Sequence, residues 1–142
     1  MKKIIIVLLC LIGVKGSAFS QNNTTSIVLE IRNVTVNGGM LYVSICTSEE
    51  TYKKQQPAMS YEFVSTSAII RQEINVPVGE CVILIYQDTN NNGKSDTGFL
   101  GIPKEPVGIT NWDGNGPPGN YKKLKIAIND MTEIVVVNLY QL

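Results

Sequence analysis

Histidine is absent from the chain. That absence removes the commonest general base and the imidazole metal ligand together, so Ser-His-Asp triads, Cys-His pairs and imidazole-ligated zinc are excluded. Cysteine is scarce, with three in 142 residues and no C-x-x-C, which excludes a thioredoxin-type redox centre. Basic residues do not gather into a patch. Only Lys122, Lys123 and Lys125 cluster, at a spacing that alternates with apolar positions, and this reads as the solvated face of a strand rather than a nucleic-acid footprint. The mature sequence also lacks an amphipathic helical period and any apolar run long enough to span a bilayer, so helical bundles and membrane spans are not expected.

The one sustained apolar run lies at the start. Met1-Lys2-Lys3 is a short positive region, Ile4 to Val14 is apolar, and Ala18-Phe19-Ser20 places small residues where a leader is cleaved. The expectation is a secretory signal peptide over residues 1–20, followed by a single domain over 21–142 that is secreted or periplasmic and has no transmembrane anchor after processing. Cys10 follows Leu9 rather than a small residue, which argues against a lipid-anchored cysteine. Loss of the leader's three lysines leaves nine basic against twelve acidic residues, a mildly acidic domain. Cys46 and Cys81 survive processing in a compartment that permits disulfides, and they can be read as a bridge between neighbouring strands or as two buried thiols.

Alternation of apolar and polar residues gives the strands. Ile27, Leu29 and Ile31 alternate along Ser26–Val34, and Leu41, Val43 and Ile45 along Met40–Cys46. Asn37-Gly38-Gly39 between them is a hairpin signal, so these two strands are expected to pair antiparallel. Residues 47–60 lose the alternation and predict a loop with one helical turn. Residues 61–64 suggest a short edge strand, and 67–76 a longer one with Ile70 and Ile74 inward. Cys81–Tyr86 is apolar without interruption, which predicts a central strand buried on both faces. Residues 112–119 hold three glycines and two prolines and cannot be regular structure. Leu124, Ile126 and Ile128 mark a further strand, and Thr132–Tyr140 the last. About six to seven short strands without a helix predict an all-β, antiparallel two-sheet sandwich.

The central strand runs into Asp88-Thr-Asn-Asn-Asn-Gly-Lys-Ser-Asp96. Counted from Asp88, side-chain oxygens fall at positions 1, 3, 5 and 9 (Asp88, Asn90, Asn92, Asp96), glycine at 6, and Lys94 at 7, where a calcium loop uses a main-chain carbonyl. Position 12 is Phe99, where such a loop needs glutamate, so a carboxylate from elsewhere must complete the shell; Glu105 and Asp113 are the nearest beyond the loop. The candidate metal residues are therefore Asp88, Asn90, Asn92, Lys94, Asp96 and Glu105, with calcium as the ion. The opposing reading is a metal-free loop, because Asn and Asp side chains bond to nearby main-chain amides and accept left-handed conformations. Glu105 can likewise cap main-chain amides instead of closing a metal shell.

Asp88–Asp96, Phe99–Gly108 and the preceding Pro77-Val78-Gly79 resemble the signature of a secreted bacterial family known as domain of unknown function 2141. The resemblance spans nearly the whole domain and implies an exported sandwich of immunoglobulin-like or prealbumin-like appearance, with no reaction or ligand attached. Cys81 departs from the aromatic residue expected there.

Two functions from different classes are compatible with these residues. One is a non-enzymatic binding or structural module of the cell envelope, with an envelope protein or a glycan as partner and a calcium-ready rim. The other is a glycan hydrolase drawing its carboxylate pair from Asp88, Asp96, Glu105 and Asp113. Trp112, with Tyr121 near it, can serve as a sugar-stacking platform or as an aromatic lid on the sandwich.

Overall fold

A computed structural model describes residues 23–142, so the leader expected over residues 1–20 lies outside the described residues. Eight strands make two sheets. Strands β1 (Thr24–Arg32), β2 (Met40–Cys46), β3 (Met59–Val64), β4 (Ile69–Pro77), β5 (Gly79–Asp88), β6 (Val107–Ile109), β7 (Ile126–Ile128) and β8 (Ile134–Asn138) are joined by two short helices, α1 (Glu49–Lys53) and α2 (Tyr121–Leu124). The three-stranded sheet has the order β4-β1-β8, and the five-stranded sheet runs β3-β2-β5-β6 with β7 also paired to β5. Among the described residues no helix is long and apolar enough to cross a membrane.

The apolar stripes meet where the alternation puts them. Ile27, Leu29, Ile31, Ile70, Ile74 and Val137 from one sheet pack against Leu41, Val43, Ile45, Cys81, Ile83 and Ile85 from the other. Each such side chain contributes roughly 1.5–3 kcal/mol by leaving water. The outer face of β5 is covered in part. Val82, Leu84 and Tyr86 join Val107, Ile109, Tyr121, Leu124 and Trp112 in a second apolar layer. On the outer face of the smaller sheet, Glu30 is buried under Arg71 and Arg32, whose Nε atoms lie 2.6 and 2.5 Å from its two oxygens. These guanidinium groups, Arg71 foremost, hold the Glu30 carboxyl below its ordinary range.

The pairing departs from expectation in three places. β1 and β2 do not form a hairpin: β1 pairs with β4 and β8, and β2 with β3 and β5. Asn33, Asn37 and Gly39 all have positive φ, and the segment they shape arches from one sheet to the other, so the two apolar stripes face each other instead of lying side by side. Gln87 ties down the arch: its amide donates to the Thr35 carbonyl at 2.7 Å and accepts from the Thr35 N–H at 2.9 Å. β8 lies parallel to β1, because the chain crosses sheets after β7 and enters the smaller sheet in the direction of its neighbour. Residues 121–124 are helical, with Asn120 capping, so Lys122 and Lys123 sit on a helical turn and not on a strand.

Beyond β8, the seam between the sheets is closed by main-chain bonds between Val107 and Tyr140, at 3.0 and 2.9 Å. Gly108 permits that approach, since a Cβ there would meet the Asn138 carbonyl oxygen at 2.5 Å and Val137 Cγ1 at 2.8 Å. Gly108→Ala should therefore lower the urea midpoint, with a cost of about 1–3 kcal/mol from overpacking at the seam. Gly98→Ala, whose Cβ meets nothing nearer than 3.4 Å, should leave the midpoint close to wild type.

Candidate functional site

β5 ends at Asp88, and its burial draws the carboxylate inside with it: Asp88 is 1% exposed. A buried carboxylate must have donors. Asp88 accepts from the Asn92 N–H at 3.1 Å on one oxygen and from the Gly93 N–H at 2.7 Å on the other. The short side chains within the loop continue the pattern. Asn90 Oδ1 accepts from the Asn92 N–H at 3.1 Å and Asn92 Oδ1 from the Lys94 N–H at 2.9 Å, two successive Asx turns. Asn91 and Gly93 take the left-handed conformation that these turns need.

Asp96 closes the loop. One of its oxygens receives the Asn90 carboxamide N–H at 2.6 Å and the Asn92 carboxamide N–H at 2.7 Å. Asp88, Asn90, Asn92 and Asp96 thus turn toward one another. The same two carboxamides hold the Asp96 carboxyl below its usual value of 3.8, Asn90 first, with Lys104 and Lys94 adding a smaller electrostatic pull.

Glu105 arrives from the returning strand of chain. It is 2% exposed, and its two oxygens accept from the Thr89 N–H at 3.0 Å and the Asp96 N–H at 3.2 Å. One carboxylate therefore staples both ends of the loop. Backbone bonds from Lys104 to Asp96, at 2.9 Å, and from Gln87 to Pro106, at 3.0 Å, run alongside. Among the described residues no three His, Cys, Asp or Glu side chains form a metal cluster. Asp113 stands apart, with its carboxylate accepting from the Asn115 N–H at 3.0 Å.

Next to the loop the outer face of the larger sheet carries a groove of about 680 Å³, lined by Ser44, Cys46, Leu84 and Tyr86 from the sheet, Tyr52, Lys53, Gln55 and Pro57 in and after α1, and Gly93, Lys94 and Ser95 of the loop. Its sheet residues were legible only as an outward face. Tyr42 and Tyr86 on that face, stacked at 5.0 Å, are the signal that sequence reasoning passed over.

Cys46 and Cys81 are free thiols on opposite faces of the larger sheet. Cys46 is directly opposite Val82, so it shares the outer face with Val82 while Cys81 points into the core. Burial pushes the Cys81 thiol up to about 11. Trp112 and Tyr121 do not form one platform. Trp112 packs edge-on against Tyr140 at 5.6 Å, whereas Tyr121 is buried against Tyr52 and donates its hydroxyl to the Glu80 carbonyl at 3.1 Å. The Trp112 Nε1–H is buried without an acceptor among the described residues.

The family model described as Uncharacterized protein conserved in bacteria (DUF2141) matches residues 29–135. The chain belongs to this family. In this DUF2141 protein the match begins in β1, ends in β8 and contains the whole loop with its Glu105 staple. No curated protein and no solved structure matches the chain.

Two outcomes test the staple. Glu105→Ala should remove two charge-assisted bonds and cost about 3 kcal/mol in urea unfolding, whereas Glu105→Gln, retaining one acceptor, should cost roughly half of that. The sign for Asp96 follows from its depressed carboxyl: the loop's order is fully present above the ordinary value of 3.8 and is lost as pH falls through the lowered one. The NMR signals of the Asn90 and Asn92 carboxamide protons, which donate to Asp96, should move over that acid range, and Asp96→Asn should remove this part of the pH dependence.

Proposed function

We propose that the protein is an exported, non-enzymatic β-sandwich module of the cell envelope whose Asp88–Asp96 loop takes up a calcium ion. The leader pattern of residues 1–20 supports export. The observation that carries the calcium reading is the turning of Asp88, Asn90, Asn92 and Asp96 toward one another around two Asx turns. These four side chains and the Lys94 carbonyl would supply five oxygens, and water would complete the six to eight or so that calcium takes. Glu105 stays on the Thr89 and Asp96 amides and holds the two ends of the loop together, while calcium would draw in the Asn90 and Asn92 oxygens in place of the N–H groups they turn to Asp96. With only two ionised ligands the site suits extracellular calcium, at about 10⁻⁴ to 10⁻³ M.

The non-enzymatic reading is supported by the state of the acids. A glycosidase pair must face a sugar from opposite sides. Here Asp88 and Glu105 are buried, and each oxygen of both already accepts a main-chain N–H.

Calcium added to the purified mature protein should raise its melting temperature in a saturable way, by mass action on the folded state. Asp96→Ala, which removes a half-buried ligand and leaves the fully buried Asp88 in place, should abolish that rise. A wild-type melting temperature indifferent to millimolar calcium would end the calcium reading, and turnover of a glycan lost in Glu105→Gln would end the non-enzymatic one.

A further inference from the structure

The groove beside the loop has the chemistry of a ligand site, and none of its lining residues is needed to hold calcium except Lys94, through its carbonyl alone. Its floor is the outer face of β2 and β5, with Ser44 and Cys46 beside Leu84 and Tyr86. One wall is Tyr52, Lys53, Gln55 and Pro57; the other is Gly93, Lys94 and Ser95. At about 680 Å³ it lies within the size range of small-molecule sites.

We propose that this groove binds a carboxylated sugar, a uronic acid residue, as the terminal or internal unit of an acidic glycan. Charge comes first. Two ammonium groups, Lys53 and Lys94, line the groove, and no carboxylate does. Lys53 is shared with Glu49 at 2.7 Å, but this pair is exposed and sits on one helical turn, so it opens at little cost. Lys94 forms no ion pair among the described residues, although it lies close enough to Asp96 to lower that carboxyl. Besides burial, Asp88, Glu105 and Glu62 lie near enough to raise the Tyr86 hydroxyl, so the positive part of the groove is the end held by Lys53 and Lys94, and it is there that a single carboxylate would bind.

The neutral lining narrows the class. Tyr86, stacked on Tyr42 at 5.0 Å, and Tyr52 offer aromatic surface of the kind that packs on the C–H face of a pyranose ring. Ser44, Tyr52, Tyr86, Ser95 and Gln55 bring hydroxyls and a carboxamide that match ring hydroxyls. Burial raises the Tyr86 and Tyr52 hydroxyls above their ordinary value, so both remain neutral donors at physiological pH. Cys46 is no nucleophile here, since burial raises its thiol.

This inference deepens the binding-module reading by naming a ligand, and it does not depend on the ion. The test is a two-dimensional NMR titration of the purified mature protein with sodium galacturonate, galactose and trigalacturonate, each in EDTA and again in calcium. Galacturonate and trigalacturonate should shift the signals of Ser44, Tyr52, Tyr86, Lys94 and Ser95 in EDTA, and galactose should bind at least roughly tenfold more weakly. Lys94→Glu should weaken galacturonate by a similar factor with its melting temperature unchanged, and Lys53→Gln by a smaller one. Equal binding of galactose, undiminished binding by Lys94→Glu, or no shift at any soluble concentration of galacturonate overturns the proposal. Failure of the calcium response with galacturonate binding intact would count against the loop reading alone.

Discussion

Burial of β5, complete on its inner face and partial on its outer one, is the constraint on which the other features depend. Cys81, Ile83 and Ile85 on one face and Val82, Leu84 and Tyr86 on the other cannot be served by a single sheet packing. The inner side chains are covered by the three-stranded sheet; on the outer face α2 and Trp112 pack with Val82 and with Val107 and Ile109 of the neighbouring β6, and Leu84 and Tyr86 stay half-buried at the groove. A strand so enclosed is stiff, and its stiffness extends to its C-terminal end. That end is Asp88, drawn inside with the strand and given two main-chain amides as its hydrogen-bond donors. The loop is therefore anchored at its first residue by hydrophobic burial, a force that has nothing to do with ion binding.

At its other end the loop is held by electrostatics. Glu105 reaches both the Thr89 and the Asp96 amides, so residues sixteen and nine positions away along the chain are fixed by one carboxylate. Between these anchors the side chains of Asn90, Asn92 and Asp96 bond to one another and leave little conformational freedom to be lost when a ligand arrives. The same loop forms one wall of the groove. The proposed ion site and the proposed sugar site would thus share one rigid segment.

Much of this was legible beforehand. The inward stripes of Ile27, Leu29 and Ile31, of Leu41, Val43 and Ile45, and the continuous run from Cys81 marked three core strands, because side chains alternate across a pleat and water selects the buried side. The helical turn after residue 47, the edge strand before Ser65 and the irregular stretch from Trp112 fell where local propensity put them. The Asp88 loop was visible too, since Asx turns and left-handed Asn and Gly are chosen within a few residues of chain. The groove was not, because it joins α1, β2, β5 and the loop, segments whose meeting leaves no mark in any one of them.

By itself, then, the amino-acid sequence determined what is local: the period of the strands, the shape of the Asp88 loop, the absence of imidazole chemistry and the family. Tertiary structure alone decided which strands became neighbours. A period of two says that Leu29 and Leu41 face inward but not that they do so from opposite sheets, and so β1 and β2 part while β1 and β8 run parallel. It likewise sent Cys46 and Cys81 to opposite faces and set Glu105 on two amides. Partners of this kind are chosen by the packing of distant segments, whose free energy depends on the whole core and not on the residues beside them in the chain.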